Sequence, residues 1–282
     1  MKRLLLLALL ALTWSSALAA PQPRFELPYD LVVARDGTIH FLDRSRVLTV
    51  HPSTCRVRVH RKVPGATELA GLALSEDGTL YAADLPSGRI LRVPRGGPVV
   101  TVATVPMPVD LVVDPAGTTL WVASIAAGIG LVRVDVASGS VEPFAAVRQP
   151  HGVARTAGGD FVVHDGHAVS RVDGTTGVVT QLAKVDAFKV VVAWYGAVYG
   201  ATGGPRGGRV VRISPNGRVV PVAGTGRLGP HRDGRALAAS MLPSALALAR
   251  DGSLLVAQIE PLPAIRRIDL GTGRISTIVR GR

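Results

Sequence analysis

One local pattern returns six times along the chain, and it constrains the fold more than any other feature. Each copy is a short apolar run, a turn built on glycine, and a second apolar run. Residues 31–43 (LVVARDGTIHFLD) and 72–84 (LALSEDGTLYAAD) show it most fully. The turn glycines stand at 37, 78, 117, 159, 196 and 252, separated by 41, 39, 42, 37 and 56 residues. A tight hairpin needs a residue that accepts positive φ, which explains why glycine recurs there. Each copy continues into a third run, such as 90–93 or 210–213, then a second turn at Gly139, Gly177, Gly217 or Gly273, then a fourth run. Four short strands in about 40 residues form the unit of a β-propeller blade. Their apolar character on both sides fits strands covered on both faces by neighbouring blades. Residues 27–282 divide into six such units. The expected fold is all-β: a six-bladed β-propeller with four antiparallel strands per blade, the last blade complete without the N-terminus and residues 22–26 free to add an edge strand.

The first nineteen residues read as a signal peptide. Met1-Lys2-Arg3 is a positive start, residues 4–12 are apolar, and Ala17-Leu18-Ala19 presents small residues where a signal peptidase cuts. The apolar run is too short to span a bilayer, which takes roughly 20 residues. The mature chain, residues 20–282, is expected to be one exported propeller domain, periplasmic or secreted, without a transmembrane segment and monomeric. With 47% hydrophobic residues the chain has ample surface to bury, so disorder is excluded. Its single cysteine, Cys55, rules out a disulfide framework or a cysteine zinc cluster and is expected as a buried thiol in a strand.

Lys and Arg total 32 against 20 Asp and Glu, a net charge of +12. Such a surface attracts polyanions. The arginines themselves are spread along the chain, and export weighs against nucleic acid as a partner. Arg92, Arg133, Arg171, Arg212 and Arg267 hold one place in the third run of five copies, while Asp43, Asp84 and Asp165 end the second run in three. A position that repeats in a repeat protein is expected to be structural: each Asp caps its loop, and each Arg packs its stem beside an acid.

The sixth copy, with Val222-Ala223-Gly224-Thr225-Gly226, Asp233-Gly234-Arg235, Asp251-Gly252 and Ile265-Arg266-Arg267-Ile268-Asp269, resembles an NHL-repeat blade. The weaker copies resemble both NHL-repeat and gluconolactonase-like propellers. That resemblance spans the mature chain and implies a fold, with function left to the site. Glu26-Leu27-Pro28 is similar to the first Glu-x-Pro of the gluconolactonase-like family, which implies a channel cation held by Glu, Asn and Asp. The one asparagine, Asn216, lies in an outer turn. Pro150-His151-Gly152 looks like a streptogramin-lyase repeat, which implies a channel histidine as metal ligand or base.

Residues that differ between copies are the better functional candidates. At the ends of the inner strands these are Tyr29, Asp30, Asp110, His151, Lys189 and Ser244, with Glu26, Glu68, His164 and Gln258 nearby. The long lead-in of copy six, residues 224–240, carries Arg227, His231 and Arg232 and is expected to hang over the same mouth. If the protein is an enzyme, Glu26, Asp110 and His151 are the candidate catalytic or metal-binding residues, for calcium or zinc in the channel; the fold itself requires no cofactor. The leading expectation is a non-catalytic scaffold that binds a small molecule, protein or peptide at the channel face. The alternative is a propeller enzyme, either a metal-dependent lactonase-type hydrolase or a streptogramin-lyase-like lyase.

Overall fold

A computed structural model provides the three-dimensional structure and describes residues 22–187, 189–192 and 196–281. The leader at 1–19 and residues 193–195 of the fifth copy lie outside the described residues. Six sheets stand as the blades of a ring, each of four consecutive antiparallel strands. Blade one comprises Pro28–Val33, Ile39–Asp43, Arg46–Val50 and Val57–Lys62. Blade two comprises Leu69–Leu74, Leu80–Asp84, Arg89–Val93 and Val100–Thr104. Blade three follows as Pro108–Val113, Thr119–Ser124, Gly130–Asp135 and Val141–Ala145. Blade four is built from Gly152–Arg155, Phe161–His164, Ala168–Val172 and Val179–Lys184. Lys189–Val192, Val198–Thr202, Arg209–Ile213 and Val219–Ala223 make blade five. Blade six has Leu242–Leu248, Leu254–Glu260, Ala264–Asp269 and Arg274–Arg280, with a fifth short strand, Gly234–Arg235, added outside the last.

The turn glycines hold positive φ, for instance +84° at Gly37 and +87° at Gly78, as the hairpins require. In all six blades the register slips by one residue between the third and outer strands, at equivalent places such as 47/48, 90/91 and 265/266. A bulge there strengthens the local twist that turns the outer strand away from the inner one. Among the described residues six apolar clusters fill the gaps between blades, one per gap. The three inner strands of each blade therefore bury side chains on both sides, which is why their sequence runs are apolar rather than alternating, while the outer strands of blades one to four are largely exposed.

The repeated columns behave as structural features. Arg171 pairs with Asp160, Arg267 with Asp251 and Arg133 with Glu142 on the outer surface, none of them at the axis. Asp43 accepts the Glu26 and Leu27 amides, and Asp165 those of His167 and Ala168. Two expectations change. Cys55 is exposed in a turn at φ +51°, because the chain needs that tight reversal before the outer strand of blade one. Residues 22–27 form no strand; Phe25 instead plugs the gap between blades six and one. No helix of the described residues is long and apolar enough to cross a membrane.

Candidate functional site

The six inner strands line a channel of about 280 Å³. One position in each inner strand lies just before the equivalent buried residues Leu31, Leu72, Leu111, Val153, Val190 and Leu246. Read round the ring it is Asp30, Gly71, Asp110, Gly152, Lys189 and Ala245. Blades one, three and five thus carry a charge, and the blades between them carry the smallest residues. The alternation has a steric cause. A Cβ on Gly71 would stand 2.7 Å from the Asp110 Cα, and one on Gly152 would stand 2.7 Å from His164 Nε2.

The three charges meet at the axis. Lys189 Nζ donates to Asp30 Oδ2 at 2.9 Å and to Asp110 Oδ1 at 2.6 Å. Asp30 also accepts the amides of Leu31 and Leu72, both at 2.8 Å. Asp110 accepts those of Leu111 and Val153, both at 2.9 Å. Each carboxylate therefore ties its own inner strand to that of the next blade while sharing one ammonium. Burial pushes the Asp30 carboxyl up to about 6; Lys189 pulls it down, but Asp110 adds to the rise. Burial alone would lower the Lys189 pKa, yet the two carboxylates more than reverse this and raise it.

The other candidates are distributed around this bridge. His151 is exposed at the mouth and its ring stacks on that of the fully buried His164, ring centroids 6.0 Å apart. Partial desolvation lowers the His151 pKa, so the ring is neutral at neutral pH. Tyr29 is 42% exposed, and burial of its ring with the charges of Glu68 and Asp30 raises its hydroxyl pKa. Ser244 Oγ donates to Pro28 O across the seam between blades six and one. Glu26 sits on the surface, paired with Arg44 at 3.0 Å.

The lead-in of blade six is spent elsewhere than over the channel. Leu228 donates its amide to Arg206 O, and Gly234–Arg235 pairs with Ile275 and Arg274. Ala236, Ala239 and Met241 are buried between blades five and six. Asp233 accepts from the amide and hydroxyl of Thr277 and from Arg266, which is fully buried. Arg266 also donates to Gln258 Oε1 and to Arg232 O, while Gln258 Nε2 lies 3.2 Å from His231 Nδ1. Gln258 and His231 are thus parts of a strap that fastens the lead-in, whereas Arg227 and Arg232 are exposed side chains. Arg266 escaped the sequence reading because its neighbour Arg267 occupies the repeated column; the strand's alternation turns one inward and the other out.

The residues present do not fit a channel cation. The oxygens of Asp30 and Asp110 are occupied by backbone amides and an ammonium, and Glu26, Asp110 and His151 are not brought together. Among the described residues no group of three or more His, Cys, Asp or Glu is placed to hold a metal ion.

No protein-family model matches the chain. No curated protein sequence matches it. Solved structures do match its fold. An auxiliary nutrient binding protein from Bacteroides thetaiotaomicron superposes with TM-score 0.71 at 13% identity, covering 90% of this chain and 70% of that one. Virginiamycin B lyase from Staphylococcus aureus gives 0.64 at 14%, covering 89% and 83%. A gluconolactonase from Xanthomonas campestris gives 0.64 at 14%, covering 84% of each chain. At such identities the likeness is one of architecture. The chain is a six-bladed β-propeller whose structural neighbours include the gluconolactonase-like and virginiamycin B lyase propellers.

Proposed function

We propose that the protein is an exported binding propeller, taking a small molecule or peptide at the channel face beside Tyr29, Glu68 and His151. The Asp30–Lys189–Asp110 bridge carries this reading. It uses the only carboxylates brought together at the axis, among the described residues, to lock three blades, which leaves them no capacity for a Lewis-acidic cation. The nutrient-binding neighbour is compatible with it. One observation favours a second reading: His151, kept neutral by partial desolvation and stacked on His164, has the protonation state of a general base. On that reading the protein is a lyase and His151 takes the proton.

The test is the metal content and melting temperature of the mature chain, with and without chelator. A cation bound at a hundredfold excess over Kd stabilises by about 2.7 kcal/mol, roughly 5–10 °C in a domain this size. The binding reading expects substoichiometric metal, no shift on chelation and no hydrolysis of gluconolactone. Stoichiometric calcium or zinc, with a shift abolished by Asp110→Asn, overturns it.

A further inference from the structure

Positive charge is distributed unevenly round the ring. Residues 22–62 and 224–281, which build blades one and six, hold 16 Lys and Arg against 8 Asp and Glu. Residues 63–223, which build blades two to five, hold 13 against 12. The acids are spread evenly between the two parts but the basic residues are about twice as dense on blades one and six, so the excess charge gathers on two adjacent blades.

It is densest at the outer edge of blade one. Residues 44–67 contain six Lys and Arg and no acid. Arg44 and Arg46 are neutralised by Glu26 and Asp43. Arg56, Arg58 and Lys62 are exposed and, among the described residues, have no acidic partner. Protection of a sheet edge against pairing does not account for this, although charged side chains serve that purpose. The outer strands of blades two, three and five carry no Lys or Arg at all.

Beside this edge lies a cleft of about 610 Å³ between blades one and two, where Arg35 and Arg95 face Asp36, Glu76 and Asp77. Thr49 stands opposite both His40 and Arg58, so these three cross one face of blade one in a row. The His60 ring lies 5.1 Å from that of His40, and Arg95 enters from blade two. Burial, with His60 and Arg95, pushes the His40 pKa down to about 4. Of the acids there, Glu76 is neutralised by Arg35, whereas Asp77 and Asp36 accept from hydroxyl and amide donors and keep their charge, so an anion is drawn to the edge rather than into the cleft.

We propose that this edge binds a linear acidic polysaccharide, whose carboxylate or sulfate groups engage Arg56, Arg58 and Lys62. The shape favours a chain over a membrane. The six-residue strand gives an edge about 20 Å long, with Arg58 and Lys62 on its two sides because of the register slip, and Val59 is its one exposed large apolar side chain, so there is little to insert among lipids. Nucleic acid is disfavoured because the strand offers no Phe, Tyr or Trp on which bases could stack. Arginine forks match planar carboxylate and sulfate oxygens in pairs.

Heparin and polygalacturonate serve as probes, titrated against the mature chain at several salt concentrations. The variant Arg56→Gln/Arg58→Gln/Lys62→Gln is compared with Lys184→Gln/Arg212→Gln/Arg218→Gln, which removes equal charge from exposed positions on blades four and five. The proposal expects about tenfold weaker binding for the first and less than about twofold change for the second. Thermal melts show that both remain folded; if the first triple variant does not, Arg58→Gln alone replaces it. Equal losses in both variants would mean that net charge alone is felt, and would overturn the proposal. So would no binding of either polymer, or tighter binding of phosphatidylglycerol vesicles or duplex DNA through the same residues.

Discussion

At the scale of single residues, Lys189 sits where two buried carboxylates need one cation. Replacing it with methionine keeps the stem's volume and leaves Asp30 and Asp110 facing each other without a counter-charge. Breaking a buried pair in this way costs about 3–5 kcal/mol. The pH dependence has a definite sign. Asp30 binds its proton more tightly in the folded chain, with a pKa of about 6 against 3.8. The stability linked to that proton is therefore present below 3.8 and lost as pH rises through 6. Without Lys189 the repulsion grows, so Lys189→Met is expected to lose more at pH 8 than at pH 5 relative to wild type. Urea melts at the two values decide it; equal losses would show that the carboxylates are solvated rather than clamped.

Among the elements, the strap of blade six is where local sequence says least. The hairpins were legible because a turn writes its need for positive φ into one glycine, and six copies repeat it. Asp30, Asp110 and Lys189 were legible as candidates, but their bonds join residues 79 and 159 apart, and no local pattern encodes that. The spacing of Gly71, Gly152 and Ala245 between them was a readable signal of crowding at the axis. The course of residues 224–240 was not readable, since Asp233 finds Thr277 and Arg266, 44 and 33 residues away. That dependence can be tested locally. Asp233→Ala removes three acceptor contacts and leaves the buried Arg266 without its carboxylate, so hydrogen exchange should quicken across 231–239 and the strand Arg274–Arg280. Blades two to four are expected to keep wild-type protection. Uniform loss of protection would mean that the strap folds with the ring as one unit.

For the whole molecule, the decisive question is how the ring closes. Each blade is completed by four consecutive strands, so no strand is shared between the two ends of the chain. Closure rests on side-chain packing between blades six and one and on the Ser244–Pro28 hydrogen bond. Phe25 fills the seam at 1% exposure, edge-on to Phe41 at 5.1 Å, and its backbone abuts Gly281 at the other end of the chain. These two blades also carry most of the excess positive charge, so repulsion acts where covalent continuity is absent. Phe25→Ala is accordingly expected to cost about 3–5 kcal/mol, the range for emptying a buried aromatic site. Its effect should also be local: hydrogen exchange should rise first in Pro28–Val33 and Leu242–Leu248, the inner strands on either side of the seam. A comparable aromatic deletion inside the ring, Phe161→Ala between blades three and four, removes similar packing where the chain runs on from blade to blade. If both variants open the same strands, the seam is no weaker than the other gaps; if only Phe25→Ala opens blades six and one, closure by packing alone sets the order in which the propeller comes apart.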